Sequence, residues 1–278
     1  MATIEYSLFR AKMVRSAQTS FLHDKSTPRE IFEAALEERP SSELNAGRTW
    51  HIGNIEKLGR NIGYFAFGRT TKTTNTKFDN ESGNFIEEDF ETSPYTHIVF
   101  NAKIGFVGIA HNHRLSRSAT GIANKLEQVL QKTEVVLKND VDVIIAPISD
   151  PEGFLKTISR AYRVLRFTAH FTGPNPFDAD EHFQKPLSVY ASAANATKGK
   201  TTIDGENLKK DVVREVARST AASGNKATAR VKRTKRQAPV TVGLKDEPVK
   251  RRYAEETHDP KAVANDLNDL YKEVRDNG

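Results

Sequence analysis

Apolar positions along this chain change period several times, and each change marks an element. Residues 3 to 13 alternate (Ile4, Tyr6, Leu8, then Ala11 and Met13), which predicts a strand whose second face, carrying Arg10 and Lys12, is wet. Thr27, Pro28 and Glu30 read as N-cap, first helical residue and capping-box partner. Ile31, Ala35 and Leu36 follow on one helical face until Pro40 forbids continuation.

Two apolar runs, Trp50 to Ile55 and Ile62 to Phe67, flank LGRN and predict a β-hairpin. The polar, Thr-rich and then acidic stretch from Thr70 to Pro94 predicts a long exposed loop. A second hairpin, HIVFNAKIGFVGIA, turns near residues 101 to 103. Ile122, Leu126, Val129 and Leu130 then keep helical spacing, and Val141 to Ile148 is apolar enough for a central strand.

Pro151 opens a helix carrying Phe154, Leu155 and Ile158, which leads into strand Leu165 to Thr172 and the breaker run GPNP. A helix with Leu187, Val189 and Tyr190 and another from about Asn207 to Ser223, closed by Gly224 and Asn225, come next. NKATARVKRTKR and APVTVGL read either as two strands or as a flexible basic arm. Asp259 and Pro260 start the last helix, striped by Val263, Leu267, Leu270, Tyr271 and Val274.

These elements define an α+β fold: mixed or antiparallel sheets built from hairpins, packed helices and a C-terminal helix over 258–277. Two lobes are expected, 1–135 with the acidic loop 70–94 and 136–278 with a basic segment 198–252, as 278 residues fit roughly two domains. The longest apolar runs fall far short of the ~20 residues a membrane span needs. The charged, alternating start carries no apolar signal-peptide core. Zero cysteines exclude disulfides, thiolate-bound zinc and a cysteine nucleophile, and a cytoplasmic protein is expected.

Net charge is only +6, but its distribution is uneven: residues 198–252 hold 16 Lys and Arg against 6 acids. Within that segment Lys210, Arg214 and Arg218 recur at helical spacing, stacking like charges on one face at a cost in stability. Lys209 precedes them. Lys226, Arg230, Lys232, Arg233, Lys235 and Arg236 then follow without an acid, and Lys250, Arg251 and Arg252 close the segment. Together they predict a surface that grips phosphates largely without regard to sequence. An anionic membrane would attract the same charge, yet no hydrophobic face accompanies it.

Other candidates have blander readings. GYFAF (63–67) approaches an RNA-stacking strand motif but breaks its residue order, so buried sheet aromatics are expected. His111 and His113 have the spacing of a metal or acid–base pair on a strand, without a recognisable third ligand. His170 and Thr172 form a single His-x-Thr unit with no second copy, and Glu87, Glu88, Asp89 and Glu91 could hold Mg²⁺ only from a loop. No phosphate loop or nucleophile elbow occurs, and no cofactor is expected.

The two hairpins (TWHIGNIEKLGRNIGYFAFGR and HIVFNAKIGFVGIAHN), helix TGIANKLEQVL, a strand and helix pair and a basic C-terminal segment together resemble small bacterial and prophage exclusion proteins of antiphage defence. The likeness covers length and architecture over most of the chain, and no functional residue is carried over from it. It implies a cytoplasmic, dimeric DNA-binding component that senses or blocks phage replication. The resulting expectation is a non-enzymatic nucleic-acid binder, DNA favoured over RNA. The alternatives are a metal-dependent nuclease or toxin and an interaction protein that meets an acidic protein partner; self-association as a homodimer is compatible with each.

Overall fold

The computed structural model describes residues 2–15, 26–172, 183–194 and 196–276. The breaker run GPNP and parts of the stretch around residue 195 lie outside them. The fold is α+β, and every pairing between described strands is antiparallel.

Among the described residues nine strands form the larger sheet. Its path runs β2 (Ser41–Asn45), β3 (Arg48–Lys57), β4 (Ile62–Asp79), β6 (Tyr95–Asn101), β7 (Phe106–Ala110) and β1 (Thr3–Arg15). The long β1 then shares its far edge between two strands, β13 (Lys250–Ala254) beside Thr3 to Ser7 and β8 (Val141–Pro147) beside Phe9 to Arg15. Strict alternation gives the sheet two apolar faces. Phe9, Phe65, Phe67, Ile98, Val107 and Ile109 pack with helices α1 (Pro28–Glu37) and α2 (Ala119–Leu130), and with Val136 of the short α3 (Glu134–Lys138). Tyr6, Leu8, Tyr64, Val99 and Phe106 face α7 (Pro260–Asp276) instead. Gly108 lets α7 approach closely there: a Cβ would stand 2.6 Å from Leu267 Cδ1 and force that side chain to shift.

Helix starts follow the expected chemistry. Thr27 and Glu30 form the capping box with Pro28 in the first turn, and Asp259 accepts from the Lys261 and Ala262 amides. Three expectations are corrected. The stretch 70–94 is not a loop: the outer half of β4 pairs residue for residue with β5 (Asn84–Thr92) in a projecting two-stranded arm. Its residues alternate without an apolar face, so no period-2 signal marks them, although threonine and phenylalanine favour strands. The boundary at 135/136 does not match the sheets, since β8, β13 and α7 beyond it belong to the larger one. Arg10 and Lys12 are buried, at 1% and 3% exposure, because α7 and a second lobe cover the face expected to be wet.

That second lobe is an insertion. Leu8 accepts from the Ile148 amide at 3.0 Å and donates to the Val249 carbonyl at 2.9 Å, while Val249 donates to Ile148 at 2.8 Å. The chain therefore leaves and rejoins the larger sheet at one point. Between lie α4 (Glu152–Arg160), β9 (Arg163–Thr172), α5 (Gln184–Ala193), β10 (Lys198–Asp204), α6 (Lys210–Ala222), β11 (Ala227–Lys232) and β12 (Val240–Gly243). Their four strands form a sheet in the order β10-β9-β11-β12.

Candidate nucleic-acid interface

The inserted sheet has one packed face and one open face. Val164, Phe167, Ala169, Ala227, Ala229 and Val231 are buried against Phe154, Leu155, Ile158, Val213 and Ala217 of α4 and α6. The alternate residues of the same strands point the other way. Register sets them in rows across the sheet: Arg230, Arg166 and Asp204; then Thr228, Thr168 and Thr202; then Lys200 opposite His170, whose amide donates to the Lys226 carbonyl; then Thr172 and Lys198. Past a bulge at Arg230/Val231, Lys232 pairs with Arg163 and extends the surface.

Its electrostatics are strongly one-signed. Arg166 bonds Asp204 at 2.6 Å, which holds the guanidinium further in its charged form, and Lys226 meets Asp246 at 3.0 Å. Lys198, Lys200, Arg230 and Lys232 have no acid partner among the described residues. Ala227–Lys232 and Val240–Gly243 are strands, and Arg233, Lys235 and Arg236 are exposed in the seven-residue connection 233–239 that joins them. Thr168 and Thr202 hydroxyls stand 3.0 Å apart in the middle of the face.

Several residues singled out in the sequence lie elsewhere. The helical stripe is turned inward: Arg218 is 9% exposed and bonds Glu152 at 2.9 Å, Lys210 donates to the Ser159 and Ala161 carbonyls at the end of α4, and Arg214 leans on Asp211 at 3.7 Å. Lys210 and Arg218 thereby tie α6 to α4, while Arg214 pairs within its own helix. Lys209, the residue before α6, is exposed. On β13, Lys250 and Arg252 both bond Glu5 of β1, and Arg251 bonds Asp266 of α7, so each of the three cations meets a carboxylate of the frame, away from the inserted sheet. Conversely Arg163, Arg166, Lys198 and Lys200 join the open face although the sequence does not mark them individually as phosphate contacts, and so does His170, which the sequence marks only as half of a His-x-Thr unit. The alternation in RVLRFTAHFT, with cations and polar groups at every second place, was the legible sign.

The remaining candidates separate as well. His111 and His113 sit past the end of β7 in an irregular turn, with His111 Nε2 3.2 Å from the Ser116 carbonyl, so the strand spacing that would align them is lost. Tyr64, Phe65 and Phe67 of GYFAF are buried. Among the described residues no three His, Asp or Glu side chains stand where they could share a metal ion. No described helix is long and apolar enough to cross a membrane. No protein-family model matches the chain, and no curated protein matches it significantly. What the geometry defines is an α+β frame carrying an inserted, open-faced, cationic sheet.

Proposed function

We propose that the chain is a sequence-independent nucleic-acid-binding protein, duplex DNA being its preferred ligand, and that the open face of the inserted sheet with the β11–β12 tip grips the phosphates. The carrying observation is the face itself, with cations on four of its five rows and only two of those cations paired to acids on that lobe. Side chains two residues apart on a strand lie ~6.8 Å apart, and neighbouring strands ~4.8 Å. Such a grid meets successive phosphates whatever the bases, because backbone contacts fix position and carry no sequence information.

Threonines fill the rows between the cations, and hydroxyls also bond phosphate oxygens. No phenylalanine, tyrosine or tryptophan of β9 to β12 stands on this face, which favours a gripped duplex over the base stacking by which single strands are held. The preference for DNA over RNA, a cytoplasmic setting and a role in blocking phage replication follow the resemblance to exclusion proteins.

Fluorescence anisotropy of a labelled duplex across about 50 to 200 mM salt tests the reading, with the combined variant Lys198→Ala, Lys200→Ala and Arg230→Ala as comparison. The wild-type chain is expected to show a steep log–log slope, and the variant a slope shallower by about 3, with affinity lost equally for unrelated sequences. Unchanged affinity and slope in the variant would remove the open face from consideration. Mg²⁺-dependent shortening of the probe would promote a nuclease.

A further inference from the structure

The β4–β5 arm stands clear of the rest of its own chain. All of β5 is exposed, and among the described strands it pairs with β4 alone. Two-stranded ribbons are marginal in water unless something packs on them. This one also displays large apolar side chains: Phe78 and Phe85 at its tip are 47% and 76% exposed, with rings 5.2 Å apart edge to face. Six acids stand against two lysines between Thr71 and Thr92. Register puts Glu87, Asp89 and Glu91 on the face that bears the tip rings, at alternate positions.

We infer that this acidic face docks on the cationic sheet of a second copy of the chain, in the place nucleic acid takes, so that self-association and nucleic-acid binding compete. Charge complementarity carries the assignment. The arm's carboxylates and Lys198 and Lys200 of β10 recur at the same two-residue strand spacing, ~6.8 Å, with opposite signs, so two pairs form in one register. The arm springs from β4 and the lobe from the junction of β8 and β13, with β6, β7 and β1 between them. Two copies related by a two-fold axis therefore exchange arms reciprocally and close the assembly. The competition rests on the phosphate-gripping reading above, whereas the docking needs only the two charged surfaces.

Sedimentation velocity of the full chain tests the docking without nucleic acid. At about 50 mM salt the wild-type chain is expected at twice its single-chain mass, reverting to single chains at about 500 mM. The variant Glu87→Gln, Asp89→Asn and Glu91→Gln, confined to exposed positions, is expected to stay single at low salt. A reversed arm (Glu87→Lys, Asp89→Lys, Glu91→Lys) and a reversed face (Lys198→Glu, Lys200→Glu, Arg230→Glu) should each remain single alone and pair when mixed, which a loss of folding could not produce. A wild-type chain that is single at low salt, or a mixture that fails to pair, overturns the docking. Duplex affinity then tests the competition: the neutralised-arm variant should bind more tightly at low salt than wild type, and equal affinity overturns it. Loss of the phosphate-gripping reading would show separately, as unchanged duplex binding in the alanine face variant, and leaves the mass measurements standing.

Discussion

Lys12 is a buried amine on a strand whose alternation marked it as wet. It donates to Thr172 Oγ1 at 3.0 Å and Asn225 Oδ1 at 2.9 Å, and no acid faces it among the described residues. Burial, with Arg10 beside it, pulls its pKa down to about 7. The unfolded chain holds that proton up to about pH 10.5, so stability rises with pH between these values, by up to about 1.4 kcal/mol per unit. His97 and His258 act in the same direction at lower pH. Their rings lie 4.8 Å apart, their nitrogens bond Tyr64 and Tyr6, and burial holds both below the ordinary histidine range. The unfolded chain therefore takes up protons first, and stability falls as pH drops below about 6.5. Thermal melts from pH 5 to 9 should show a continuous rise. Lys12→Met should flatten it between pH 7 and 9 and leave the acid-side fall intact; a wild-type midpoint constant between pH 7 and 9 contradicts the assignment.

At the level of elements, α6 carries structural charge and β9 to β11 carry the exposed charge. Arg218→Ala is therefore expected to cost about 1–2 kcal/mol, discounted because Glu152 is half exposed, while duplex affinity and its salt slope stay at wild-type values. Urea midpoints and anisotropy on the same preparation decide it; weakened duplex binding with unchanged stability would return the helix to the interface. Helices were legible in the chain because their caps and stripes are local: Thr27, Pro28 and Glu30 announce α1 before any tertiary contact exists. Which face of α6 would point outward was not legible, since Lys210 finds its acceptors on α4, dozens of residues earlier. The basic segment was visible from composition alone, but the sheet that arranges it also takes Arg163, Arg166 and His170 from β9, outside that segment. The β2–β3 hairpin escaped notice because Ser41 to Asn45 is mostly polar and turns through Ala46 and Gly47.

For the whole molecule, the decisive feature is that β8 and β13 lie end to end along one edge of β1, with Ser149 bridged to Pro248 between them. The frame accordingly keeps its own two apolar faces when residues 150–247 are replaced by a two-residue Asn-Gly turn. Such a chain is expected to unfold cooperatively at a lower midpoint, because Ala222 leaves the cluster around α7 and Lys12 becomes hydrated, and to lose duplex binding completely. Circular dichroism melts and anisotropy check both halves; retained duplex binding would place the interface on the frame. The same junction has a meaning for descent. Because entry and exit are neighbours, two in-frame crossovers near codons 149 and 248 would exchange one inserted lobe for another while the reading frame, the nine-stranded scaffold and its terminal helix carry over unaltered. A change of inserted lobe at that junction thus leaves every strand pairing of the scaffold in place.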